Sequence, residues 1–84
     1  MAERYACPCC GFLTLTEPGD NTYEICQVCF WEVDGVQSDD PDYRGGANAV
    51  SLNEARANFA RFRASEERFL KFVRAPNDEE RLSS

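Results

Sequence analysis

Two Cys-x2-Cys hooks, Cys7 to Cys10 and Cys26 to Cys29, lie fifteen residues apart in this 84-residue chain. Each hook places two thiols on one tight turn, and two facing hooks supply four soft sulfur ligands in a tetrahedron. The spacing therefore points to a metal ion held by Cys7, Cys10, Cys26 and Cys29, with disulfides or free thiols as the rival states. A fifth cysteine, Cys9, sits inside the first hook at its variable position. The knuckle Cys7-Pro8-Cys9-Cys10-Gly11 uses Cys7 and Cys10 as ligands, with Pro8 stiffening the turn and Gly11 easing the exit. Cys9 is then a small residue pointing away beside the site, with a redox or substitute-ligand role as the alternative.

Four thiolates close the coordination shell, whereas a catalytic zinc keeps one position open for water. The chain contains no histidine, so it lacks the commonest general base and every Ser-His or Cys-His nucleophilic pair. Asp39, Asp40 and Asp42 form a run in an acidic stretch and read as a solvated face. No catalytic residue is assigned, and the expectation is that the chain is not an enzyme.

The elements that must position the hooks follow from local pattern. Phe12 to Thr16 and Thr22 to Ile25 read as two strands of a hairpin that joins the hooks, with Glu17-Pro18-Gly19-Asp20-Asn21 as its turn. Phe30 and Trp31 follow the second hook and read as the apolar shell of the site, with ligand stacking by Trp31 as the alternative. Residues 32–50 look like loop, and the Gly45-Gly46 pair supplies backbone freedom or a close approach. Ser51-Leu52-Asn53-Glu54 is a capping box that opens a helix with Leu52, Ala55, Phe59 and Phe62 on one stripe. A second apolar set, Phe69, Leu70, Phe72 and Val73, predicts a second helix capped by Ser65, a kink near Ala64, or one continuous helix. Pro76 ends the pattern, so residues 1–76 form one domain and residues 77–84 a disordered polar tail.

A single domain of this size has little apolar surface to bury, and a metal compensates. The absence of a signal-like or long apolar segment, together with an odd cysteine count, places the chain in the reducing cytoplasm, with no membrane partner. The net charge is −6, and four thiolates around a dication make it more negative still. Such a field disfavours nucleic acid. Residues 51–74 run against this trend, holding Arg56, Arg61, Arg63, Arg68, Lys71 and Arg74 against Glu54, Glu66 and Glu67. That basic helical region keeps nucleic-acid binding as an alternative.

The combination of motifs resembles the bacterial cysteine-rich CPCC family. The resemblance rests on the Cys7 to Leu15 segment, the run Tyr23-Glu24-Ile25-Cys26-Gln27-Val28-Cys29-Phe30-Trp31-Glu32, Gly45 to Asn48 and Ser51 to Arg56. Glu66 to Phe69 and Val73-Arg74 extend it over about residues 5–76. The family pattern implies a further cysteine where Ser65 stands here, and a hydrolase label attached to some members finds no support in these residues. The expected fold is a small α+β metal-bound domain, a zinc-ribbon or rubredoxin-knuckle hairpin followed by one or two C-terminal helices. The expected function is a protein-interaction module with structural zinc. Rubredoxin-like electron transfer through iron is the alternative, less favoured because rubredoxins carry a longer chain between hooks and generally have glycine after both.

Overall fold

The computed structural model describes residues 4–17 and 22–81. Strand β1, Tyr5–Ala6, pairs antiparallel with β2, Leu13–Leu15, in the register Tyr5 to Leu15 and Ala6 to Leu13. Helix α1 spans Gly35–Asp39, helix α2 spans Leu52–Phe62, and a single 3-10 turn covers Glu67–Phe69.

The strand pairing differs from the expected hairpin. The Leu13–Leu15 strand returns on the chain before the first hook, not on residues 22–25. Those residues pair forward, through an Ile25–Glu32 bridge and the Tyr23–Val33 and Glu24–Val33 backbone bonds. Each hook is thus the tip of its own small hairpin. A knuckle closes its own flanking strands because both ends emerge side by side, so local closure costs less entropy than pairing across the linker. The carboxylate of Glu24 ties the hairpins, accepting from the Thr16 N–H at 3.0 Å. The expected turn at residues 17–21 falls mostly outside the described residues.

Helix α2 follows the capping box closely. Ser51 Oγ accepts from the Glu54 N–H at 3.1 Å, and the Glu54 carboxylate accepts from the Ser51 N–H at 2.9 Å. Leu52, Ala55 and Phe59 are buried. The helix ends at Arg63, whose φ of 69° breaks the α conformation. The second helix is reduced to the 3-10 turn, whose N-cap Glu66 makes no side-chain cap bond. Ser65 instead donates its N–H to the Cys29 carbonyl at 2.8 Å, so the backbone that would start a helix is drawn to the second knuckle.

The supposed loop of residues 32–50 is an ordered unit. Asp34 caps α1, accepting from the Val36 N–H at 2.8 Å and the Gln37 N–H at 3.4 Å. Gln37 is wholly buried and donates to the carbonyls of Tyr43, Asn48 and Val50, while its Oε1 accepts from the Asn48 backbone and side chain. Asn48 in turn pairs with both backbone groups of Glu32, at 2.9 and 2.7 Å, as a neighbouring strand would. Gly46 is required here because a Cβ would lie 2.6 Å from Asp34 Oδ2. Close approach was one of the two readings of the glycine pair.

The segment after Pro76 also departs from expectation. Residues 78–81 fold as turns, and Glu80 is buried. Its backbone carbonyl accepts from the Leu13 N–H at 2.9 Å, and its carboxylate takes both arms of Arg74 at 2.7 and 2.8 Å. These contacts satisfy the outer edge of β2, which explains why a polar stretch stays packed. Residues 82–84 lie outside the described residues.

Arg44 forms a two-point ion pair with Glu54, and with the Ser51 N–H this holds the Glu54 carboxyl down to about 2. A depressed carboxyl pKa contributes stability above the unfolded value of 4.5 and loses it as pH falls through the folded value. Wild type and Glu54→Gln should therefore differ in denaturant midpoint near neutrality, and the difference should shrink from about pH 4.5 to about pH 2. A difference that stays constant across this window contradicts the assignment.

Candidate metal centre

The two knuckles share one backbone plan. In the first, Cys7 N–H donates to the Phe12 carbonyl at 2.9 Å and Gly11 N–H to the Cys7 carbonyl at 2.8 Å. In the second, Cys26 N–H donates to the Trp31 carbonyl at 2.9 Å and Phe30 N–H to the Cys26 carbonyl at 2.8 Å. Both turns exit through a positive φ, 82° at Gly11 and 69° at Phe30. Glycine takes that conformation freely, whereas a bulky residue there is strained by about 1–2 kcal/mol. The Phe30 ring offsets the strain by packing against Phe69 at 4.7 Å and Phe72 at 5.5 Å.

Facing each other, the knuckles bring Cys7, Cys10, Cys26 and Cys29 together with all four Sγ atoms within 4.8 Å of one another. Cys7 and Cys29 sulfurs are 3.6 Å apart, and Cys10 and Cys26 sulfurs 3.7 Å. A disulfide needs about 2 Å, and all five cysteines are free thiols. A tetrahedron with metal–sulfur bonds of about 2.3 Å has edges of about 3.8 Å, so the donor set fits a tetrahedral thiophilic ion. Cys7, Cys26 and Cys29 are buried and Cys10 is half-buried.

The electrostatics agree with this fit. Cys10 and Cys26 push the Cys7 thiol far above the usual range, and Cys26 and Cys29 do the same to Cys10. Cys10 pulls Cys29 down, but Cys26, Cys7 and burial outweigh it and leave that thiol raised. Cys26 alone is driven far down, by the thiols of Cys10, Cys29 and Cys7 and, more weakly, by Thr14. Each thiol that ionises makes its neighbours harder to ionise, because their sulfurs are packed together out of water. Four thiolates at this spacing need a cation between them.

Several groups tune the cluster. Thr14, itself buried, donates its hydroxyl to Cys26 Sγ at 3.0 Å. The Cys9 N–H donates to Cys7 Sγ at 3.4 Å. Arg74, whose pKa is raised first by Glu80, also feels the charge of Cys26. The sequence reading missed Thr14 and Arg74 as partners of the site; period-2 alternation would turn Thr14 away from the face of Leu15, yet both are buried. Trp31 is fully buried, which leaves it no open face for ligand stacking. Cys9 is buried in the core beside the site, outside the four-sulfur cluster, and its thiol helps raise Cys29. Asp39, Asp40 and Asp42 are not part of the sulfur cluster; Asp40 accepts from the Asp42 N–H, and Asp42 accepts from the Asn53 side chain of α2.

A small antiparallel hairpin, a following helix and four clustered cysteines define a compact cysteine-knuckle domain with a site for a metal. The chain belongs to the cysteine-rich CPCC family, whose model matches residues 5–80. No curated protein matches it significantly. Among the described residues, no helix is long and apolar enough to cross a membrane.

Removing one tuning group should weaken the site without changing its ligand number. Thr14→Val should lower metal affinity in a chelator competition by about tenfold or more. Cys9→Ser should keep the full metal stoichiometry, whereas Cys10→Ser should lose tight binding. Equal losses in the Cys9 and Cys10 variants would show that the ligand set is misassigned.

Proposed function

We propose that the ion is zinc, that it is structural, and that the chain is a non-enzymatic protein-interaction module of the cytoplasm. The observation that carries the structural reading is the set of four sulfurs within 4.8 Å, three of them on buried cysteines. Such a shell leaves no open position for a substrate or water. The free state of all five cysteines suits a reducing compartment.

An interaction role is supported by the surface beside the second knuckle. Phe30 and Phe69 are half-buried there, while Leu70 is 45% and Phe72 54% exposed. Arg68 and Lys71 lie over the Phe69 and Phe72 rings, at 4.6 and 5.5 Å. An apolar patch bordered by cations suits a protein segment carrying both apolar and acidic side chains. The nucleic-acid reading gains less. Arg56 is spent on the Pro8 carbonyl, Arg68 on Glu66 and Arg74 on Glu80, so the basic residues of 51–74 do not form one free row.

Native protein should carry one zinc per chain by mass spectrometry, and complete metal removal should abolish the cooperative melting transition seen by circular dichroism. A melting curve unchanged after verified removal would sink the structural role, and an iron-loaded, redox-active protein would sink the choice of zinc. For the interaction role, a photo-crosslinker at Leu70 should give a discrete adduct in cells that Phe72→Ser abolishes. Absence of any adduct overturns it.

A further inference from the structure

Away from the sulfur cluster, a cleft of about 240 Å³ opens between the second knuckle, the C-terminal end of α2 and the segment after the 3-10 turn. Val28, Phe59, Val73 and Pro76 give it an apolar lining, of which Val28, Phe59 and Pro76 are buried. Arg63, Arg74 and Arg81 line the same cleft and are exposed. Among the described residues, no carboxylate lines it.

With 15 acidic residues and 9 basic ones, a cation here has ample carboxylates to pair with. Arg4, Arg44, Arg68 and Arg74 all do so. Arg74 gives both arms to Glu80, which fixes it as part of the wall. Among the described residues, Arg56, Arg61, Arg63, Lys71 and Arg81 form no ion pair, and of these Arg63 and Arg81 both line this one cleft. Arg63 is also held in place: it is the left-handed cap of α2, and its guanidinium lies 4.3 Å over the Phe59 ring. A guanidinium stacked on an aromatic ring keeps its N–H groups free in the plane, preorganised for a two-point acceptor.

We infer that this cleft binds a small organic anion, an apolar body seated on Phe59, Val28, Val73 and Pro76 with a carboxylate or phosphate head held by Arg63 and Arg81. The volume lies below the roughly 300–1,000 Å³ of sites for drug-sized ligands, so the body is short. Apolar walls supply affinity, and the two unpaired guanidiniums supply the selectivity for a negative head. The site contains none of the four metal ligands and does not depend on which ion they hold.

Titrations followed by amide NMR on the full metal-loaded chain test this. Hexanoate and hexyl phosphate carry the two candidate heads on one body, hexan-1-ol lacks the charge, and inorganic phosphate lacks the body. At least one hexyl anion should give saturable shifts at Val28, Val73, Ala75 and Arg81, at about tenfold lower concentration than hexan-1-ol or inorganic phosphate. Which of the two binds tighter identifies the head. The double variant Arg63→Gln/Arg81→Gln should weaken that binding by about tenfold or more while resonances of the sulfur cluster stay in place. Arg81→Gln alone, which leaves the helix cap intact, should weaken it to a lesser degree. No saturable shift at the cleft from either anion overturns the proposal. So does equal binding of inorganic phosphate, or binding that the arginine variants do not weaken.

Discussion

Four sulfur atoms crowded into a volume smaller than a side chain create a charge problem that organises the rest of the molecule. Four sulfurs within 4.8 Å of one another repel as thiolates, so they can all ionise together only around a cation. The surrounding elements are weak on their own. A two-stranded sheet of five residues is marginal in water, and an isolated helix of eleven residues is too. Their contacts converge on the knuckles. Arg56 of α2 binds the Pro8 carbonyl, the Phe12 ring meets Phe59 edge-on at 6.2 Å, and the Ser65 N–H reaches the Cys29 carbonyl. The helix thus clamps both hooks from one side, and closing the cluster fixes its place.

The two knuckles are alike in backbone and unlike in residue, and the inequality explains the C-terminal segment. Gly11 leaves the first turn without strain, so that hook needs little beyond its own hairpin. Phe30 leaves the second turn in a conformation costly for its side chain, and the cost is met by stacking on Phe69 and Phe72. Those rings lie in and just after the 3-10 turn, which explains why this stretch wraps around the knuckle rather than extending α2. The chain then crosses to the first hairpin, where Glu80 covers the outer edge of β2. One strained residue therefore recruits a segment that braces both halves.

What the sequence made legible was whatever is encoded by spacing. The hooks, the choice of Cys7 and Cys10 over Cys9, the capping box and the Leu52–Ala55–Phe59 stripe are all fixed by distances of three or four residues. What it hid were interactions that join residues far apart in the chain. The pairing of Leu13–Leu15 back onto Tyr5–Ala6 was ambiguous because short β-prone runs carry no partner information. Gln37 and Asn48 look like ordinary polar loop residues, yet from buried positions they satisfy backbone groups of Glu32, Tyr43, Asn48 and Val50. Composition marks such a stretch as loop; only the network makes it rigid. Glu80 was hidden in the same way, a charge in a polar tail that becomes buried once Arg74 is beside it.

The four-sulfur cluster lies apart from the exposed aromatic patch and from the arginine-lined cleft. The link between them is geometric. Val28 stands inside the second hook, between Cys26 and Cys29, and it is also a buried wall of the arginine-lined cleft. Phe30, one residue past the hook, is the base of the exposed aromatic patch. Opening the cluster would release the second knuckle, and with it both surfaces at once. Neither surface touches the metal, yet the shape of each depends on it. An ion held by the four sulfurs would for this reason fix the form of both surfaces as well as the knuckles.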